Sequence, residues 1–303
     1  MNIITNKKTA WIDIEKPSKS DIDYLGQNFK FHDVVLNEII PDTIRTKVDA
    51  YDDYFYIVLH FPSFNKEKRI TRSQELDILV TKSHIITSHK EILIPLKAIF
   101  DKCNIYLEER ERHLGNGSAK LLYFILDELL NTCSLQLDSI SENMDKAERA
   151  IFLGLEKEMI KEISILKRNI LDFRRAIKPQ KQILESLYLT INKFFNSSEY
   201  LPFYNDLLGH HLRIWDTLDS YKELLESLES TNATLFTSKL NETIKILTIF
   251  TALLLPVSII VGIFGMNVNI PLQNHPQGFL IIIAISASLL MAVYLFFKRR
   301  KIF

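Results

Sequence analysis

The stretch NETIKILTIFTALLLPVSIIVGIFGMN, Asn241 to Asn267, decides how this chain is read. From Ile246 to Phe264 it carries no charged residue, and at about 1.5 Å of rise per residue such a run approaches the roughly 30 Å of a bilayer core. It reads as a membrane span. Its polar and small residues are ordered: Asn241, Ile244, Thr248, Thr251, Leu255, Ser258, Gly262 and Gly265 step by three and four alternately and fall on one stripe of a helix. A small-residue seam against one neighbouring helix accounts for such a stripe. A pore-lining face repeated around a symmetry axis accounts for it too.

Downstream, the connector Val268 to Gly278 contains no Lys, Arg, Asp or Glu, and a second apolar run follows from Phe279 to Phe297. Lys298, Arg299, Arg300 and Lys301 come directly after it. Basic flanks stay on the cytoplasmic side, so two spans place both termini in the cytoplasm and the connector outside.

Upstream, no proline separates Pro202 from Pro256. A helix from Phe203 to Phe264 would run roughly 90 Å at the standard rise, far beyond any bilayer, and so projects as a stalk. Continued backwards with the same step, the polar stripe passes through Thr237, Thr234, Ser230, Ser227, Glu223, Ser220, Asp216, Arg213, Gly209 and Asp206. Leu218, Tyr221, Leu225, Leu228 and Leu235 make an apolar stripe on another face. A solvated face explains the stalk half alone; its register with the membrane half, where lipid penalises polar groups, favours a continuous water-facing wall.

The stretch before the stalk is helical as well. Ser118 is placed to cap the run from Ala119 to Phe152, and a further helix from about Glu156 kinks at Pro179 and continues to Phe195. Before Gly115-Asn116-Gly117 the pattern differs. Trp11 to Ile14, Lys47 to Tyr51, Tyr54 to Phe61, Glu75 to Thr81 and Ile85 to His89 read as strands, with helices from Ser20 to Phe29 and His32 to Ile40. The segments expected are therefore an α/β domain over 1–117, an antiparallel long-helix region over 118–201 and the stalk over 202–245. The spans fall at 246–265 and 279–297, with an external loop over 266–278 and a basic tail over 298–303.

Composition sets limits. The 303 residues carry 37 basic and 37 acidic side chains, a balance that gives no support to nucleic-acid binding. Cys103 and Cys133 form neither a metal-ligand spacing nor a disulfide framework. No phosphate loop or nucleophile motif marks the chain as an enzyme, no organic cofactor is expected, and Asp13, Asp21, Asp23 and Asp33 suit caps and turns.

These features together resemble the CorA-type divalent-cation channels over essentially the whole chain. The resemblance rests on the α/β domain, the long stalk helix, Gly265-Met266-Asn267 at the outer end of the first span, the second span and the basic tail. TKVDAYDDYFYIVLHF at Thr46 to Phe61 and LLYFILDELL at Leu121 to Leu130 add to it. It implies an α+β membrane protein of the inner or plasma membrane, a homopentamer whose first spans surround one pore while the second spans face lipid. The implied activity is influx of Mg²⁺, and of Co²⁺ or Ni²⁺, down the membrane potential. On this pattern Gly265, Met266 and Asn267 form the selectivity filter. Asn241, Ile244, Leu247, Thr248, Thr251, Leu255, Ser258 and Gly262 line the conduit.

Asp206 falls where the family has a stalk aspartate that helps bind a regulatory cation between subunits. Its family partner is here replaced by Phe64 or displaced to Glu67, and Asp216 and Glu223 are further candidates. The connector lacks the acidic residue many relatives carry, and holds His275 instead. A zinc transporter of the same superfamily is the alternative; against proton coupling stands the absence of ionisable residues within either span. A membrane-anchored scaffold without transport is a third reading.

Overall fold

The computed structural model describes every residue except 8, 44, 66, 267–275 and 300–303. It divides into two compact units, Met1–Ser230 and Thr231–Phe303.

The first unit is built on a six-stranded sheet. β1 (Asn2–Thr5), β2 (Ala10–Glu15), β3 (Lys47–Ala50), β4 (Tyr54–Asn65), β5 (Ile70–Thr81) and β6 (His84–His89) lie in the order β1-β2-β6-β5-β4-β3. Only the β2–β6 pair is parallel; the others are antiparallel. β4 and β5 pair over their full length, Tyr54 opposite Thr81 and Asn65 opposite Ile70. Both run past the Phe61 and Glu75 limits that the sequence pattern suggests. Pro62 does not end β4, because proline is tolerated where its missing N–H is not needed by the ladder.

Alternation along the strands gives the sheet two buried faces. On one, Ile12, Ile14, Tyr54, Tyr56, Val58, Leu79 and Ile86 pack with Leu25 of α1 (Lys19–Asn28) and Val35 and Leu36 of α2 (Asp33–Glu38). The cap of α1 is Ser18 rather than Ser20, in a capping box with Asp21, and α2 is capped by the His32 side chain. On the other face Trp11 meets Phe100 of α3 (Ile94–Ile105) edge-on at 5.0 Å. α4 (Leu107–Leu114) follows α3 and leads into the long helices.

α5 (Ser118–Phe152), α6 (Glu156–Ile177) and α7 (Gln180–Phe195) cover the rest of that second face. The expected kink at Pro179 is a full break: Pro179 is the N-cap of α7. Ser118 is not a cap but the first residue of α5, its hydroxyl donating to the carbonyls of Thr81 at 2.7 Å and Lys82 at 3.1 Å.

Three carboxamides, those of Asn169 and Gln180 buried and that of Gln136 half-buried, tie these helices to the backbone of β4 and β5 and the turn between them, where a ladder alone leaves orphan groups. Gln136 donates to the Pro62 carbonyl at 3.2 Å, and Gln180 to that of His60 at 2.5 Å. Asn169 accepts from the Thr71 N–H at 2.8 Å and donates to the Arg69 carbonyl at 3.1 Å, holding the strand just where Arg69 adopts a positive φ.

A short 3-10 turn, Ser198–Tyr200, leads into α8, Leu201–Phe264, a single helix of 64 residues. In the second unit α9 is Gly278–Arg299. Among the described residues, the membrane part of α8 and α9 are the two helices long and apolar enough to cross a bilayer.

Asn169→Ala should lower stability by about 1–3 kcal/mol, because the buried Thr71 N–H loses its acceptor. Thermal denaturation of the purified protein measures this; an unchanged midpoint would mean that the tie contributes nothing.

Candidate ion pathway and cation site

α8 carries two stripes of opposite character. In the first unit Tyr204, Leu207, His211, Ile214, Leu218, Leu225 and Leu228 are buried, spaced by three and four with one gap, as a packed helix face requires. Polar bonds fix the packing. The Tyr204 hydroxyl donates to the Ala119 carbonyl at 2.7 Å, and Nε2 of His211 donates to the Ile177 carbonyl at 2.9 Å. Burial lowers the His211 pKa, keeping the ring neutral with its proton on Nε2. Arg174 lies over the Trp215 ring at 4.5 Å and pairs with Asp219 at 2.5 Å, and Lys167 pairs with Glu229 at 2.7 Å. The polar stripe sits two positions further on, about 200° around the axis. Asp206, Arg213, Asp216, Ser220, Glu223, Ser227 and Ser230 are all exposed.

The second unit repeats the division. Ile249 is 8 % exposed, and Ala252, Leu253, Pro256, Val257, Ile260 and Phe264 are partly covered. On α9 the partly covered positions are Ile281, Ile282, Ser286, Leu290, Val293 and Phe297, most of them on one helical face. Asn241, Ile244, Leu247, Thr248, Thr251, Leu255, Ser258 and Gly262 are exposed in the single chain. The small and polar residues are therefore not the shielded seam within this unit.

The hydroxyls of the exposed stripe have a fixed orientation. Thr248 donates to the Ile244 carbonyl at 2.8 Å, Thr251 to Leu247 at 2.9 Å and Ser258 to Leu254 at 3.1 Å. Each spends its proton on its own helix, leaving oxygen lone pairs as what it offers outward. Nothing lies within 4 Å of a Cβ built on Gly262, whereas one on Gly265 would stand 3.1 Å from the Val261 carbonyl oxygen. Gly265 closes the last turn through its N–H to that same carbonyl at 2.9 Å. Asn267 and His275 lie outside the described residues.

Within the single chain the regulatory candidates are not gathered into one cluster. Glu67 is exposed in the β4–β5 turn, and Asp216 and Glu223 point out from the exposed stripe of α8. Asp206 has company from a helix that the sequence reading did not connect with it. The Tyr123 hydroxyl of α5 donates to its Oδ2 at 3.1 Å, and one turn along, Asp127 of α5 lies 3.5 Å from Nδ1 of His210. Partial burial first, then the Asp127 and Asp206 charges, push the Tyr123 hydroxyl up to about 12. Ser134 completes the group at 3.1 Å from Nε2 of His210. A groove of about 880 Å³ lined by Glu108, Glu109, His113, Asp127 and Glu128 opens beside Asp127. Among the described residues no three His, Cys, Asp or Glu side chains are grouped closely enough to hold a metal ion.

Known proteins give this arrangement its context. The sequence matches the family model described as CorA-like Mg2+ transporter protein over residues 6–299. The chain belongs to the CorA-like Mg2+ transporter family. It is 26% identical over 295 residues to the cobalt/magnesium transport protein CorA of Thermotoga maritima, covering 96% of this chain and 83% of that one. The CorA magnesium transporter from Methanocaldococcus jannaschii has the same fold, with a TM-score of 0.81, 23% identity and coverage of 99% of this chain and 93% of that one. The zinc transport protein ZntB of Pectobacterium carotovorum is 22% identical over 99% of this chain and 90% of its own length. As a family member the chain is a divalent-cation transporter of the membrane and not an enzyme.

Cysteine substitution tests the two faces. Thr251→Cys and Ser258→Cys should react with a charged thiol reagent, and Leu253→Cys and Ile260→Cys should not. Cys103 and Cys133 are both buried, which pushes the Cys103 thiol up to about 11 and that of Cys133 higher still, so the background is low. Equal labelling of all four would remove the distinction between the faces.

Proposed function

We propose that this CorA-family protein is a homopentameric channel in the cell membrane that passes Mg²⁺ inward, with Co²⁺ and Ni²⁺ as further substrates. The observation that carries this reading is the exposed stripe of α8 from Asn241 to Gly262, uncovered in the single chain and presenting oxygen lone pairs. Copies arranged about an axis would turn those stripes toward one another. Both termini lie in the cytoplasm on this reading, by the basic residues after α9.

The chemistry of the stripe suits a hydrated ion. Mg²⁺ gives up its inner-shell waters reluctantly, so a pore either strips them with strong ligands or accepts them. Asn241 to Gly262 on this face includes no carboxylate. Coordinated waters donate hydrogen bonds outward, and the lone pairs of Thr248, Thr251, Ser258 and Asn241 accept them. Gly265 to Asn267 form the selectivity filter at the outer mouth, where a ring of Asn267 amide oxygens recognises size and charge through the same waters. Rings of Ile244, Leu247 and Leu255 form a hydrophobic gate below. The membrane potential supplies about 2.3 kcal/mol per charge per 100 mV, which draws a dication inward without other coupling.

Gating follows from the cytosolic group. Asp206, which accepts the Tyr123 hydroxyl, and Asp127, one turn along α5, are the carboxylates best placed to hold a divalent cation, its remaining ligands being waters or a second copy of the chain. A cation there offsets the repulsion between like charges and holds the channel closed when cytosolic Mg²⁺ is plentiful. Glu67, Asp216 and Glu223 are left as surface charge.

The similarity to a zinc transport protein supports a second reading, Zn²⁺ as the carried ion. Flux into liposomes, comparing Mg²⁺, Co²⁺ and Zn²⁺ with and without a proton gradient, separates the two. Asn267→Ala should abolish selective Mg²⁺ uptake while the oligomer persists; near-normal uptake by that variant would sink the filter. Asp206→Lys should leave channel closure insensitive to Mg²⁺, and an unchanged dependence would remove the gating assignment.

A further inference from the structure

Under α2 the sheet buries a carboxyl group that transport does not use. Asp77 on β5 is 4 % exposed, and its Oδ1 accepts the hydroxyl of the fully buried Tyr56 at 2.6 Å. Ser88 stands directly opposite it on β6. Its side chain is 2 % exposed, and its Oγ is buried without a hydrogen-bond partner. Cross-strand neighbours on one face have Cβ atoms about 5 Å apart, so the two side chains adjoin, but the Ser88 hydroxyl makes no hydrogen bond to the Asp77 carboxyl. Glu75, two residues back on the same face, has a side chain 10 % exposed. Its Oε2 accepts the Thr43 N–H at 2.8 Å, while Oε1 is buried and unpartnered.

The group is short of positive charge. The Tyr56 hydroxyl goes to Asp77, and no donor reaches Glu75 Oε1. His60, opposite Glu75, comes only to 4.0 Å from Oε2. The nearby cations are engaged elsewhere: Lys47 with Glu38 and Asp49, and Lys90 with Asp42. A metal ion is not the missing partner, since no suitable triad of ligands forms among the described residues. One added proton on Asp77 would remove the repulsion between its carboxylate and those of Glu75 and Glu38.

We propose that Asp77 is a proton-binding site of the N-terminal unit, its buried carboxyl held protonated beside Tyr56 and Glu75 and giving up the proton as the pH rises. Burial, opposed by the Tyr56 hydrogen bond and reinforced by the Glu75 charge, pushes the Asp77 carboxyl up to about 7. Unfolded, the same group releases its proton near the ordinary carboxylate value of about 4. The folded unit therefore binds the proton more tightly between those values. The stability it lends is complete in acid, declines as pH rises and is gone once Asp77 ionises. Ionisation sets a buried carboxylate against Glu75, which holds the Thr43 connector, and against Glu38 of α2. Proton release thus loosens α2 and the strand that follows.

Infrared difference spectroscopy of the full-length protein tests this through the carbonyl stretch of a protonated carboxylic acid, followed from about pH 5 to about pH 9. The wild-type band should disappear near neutrality and be missing in Asp77→Asn. Glu75→Gln should move its midpoint down, and Tyr56→Phe up, each by on the order of one pH unit. These two variants keep the test open if Asp77→Asn does not fold. A spectrum with no band titrating in this range, or one whose midpoint neither variant moves, would overturn the proposal.

Discussion

One helix has to satisfy two environments on opposite faces, and the rest of the structure depends on it doing so without a break. α8 runs from Leu201 to Phe264, and in each unit one stripe of it is covered while the stripe two positions on is exposed. Two residues correspond to about 200° at 3.6 residues per turn, so the faces oppose each other, and an unbroken three-four step keeps them opposed. A single inserted residue would rotate everything beyond it by about 100° and bring packed leucines onto the polar side. The length of α8 and the spacing of its residues are thus one constraint.

The covered stripe shows how a polar helix is anchored. Its apolar positions supply area, but the contacts that set register are directional: Tyr204 to the Ala119 carbonyl, His211 to that of Ile177 and Arg174 against Trp215. The same device recurs where α5, α6 and α7 meet the sheet through Gln136, Asn169 and Gln180. Buried side chains that donate to strand carbonyls hold helices at one height on a surface that hydrophobic contact alone would let slide.

Family membership and the local geometry bear on different questions. The family sets the class of cargo and the membrane setting. The geometry gives the local partners: Asp206 accepts the Tyr123 hydroxyl, while Phe64 lies on β4 and Glu67 is exposed in the β4–β5 turn. At the α5–α8 seam Asp206 meets Tyr123, with Asp127 one turn along α5. The buried Asp77 belongs to a different surface and responds to protons instead.

Much of this was legible in the sequence because it is periodic. Two uncharged apolar runs, a basic tail, an alternating polar stripe and a proline-free stretch of some fifty residues are local patterns, and local patterns determine helix, span and face. The principal strands were visible for the same reason. β1, α3 and α4 were not, since their residues form no clear alternation and are held by neighbours already in place. Pro179 was read as a kink and proved to be a break, because its effect depends on whether tertiary contacts favour a new helix start. Only the folded chain could pair Asp206 with residues 79 and 83 positions away, since side-chain juxtaposition across helices is a matter of packing. It alone also showed that Asp77 is buried opposite Ser88 and takes its hydrogen bond from Tyr56. Periodicity is written along one chain; partnership and burial arise only when distant segments share the same space.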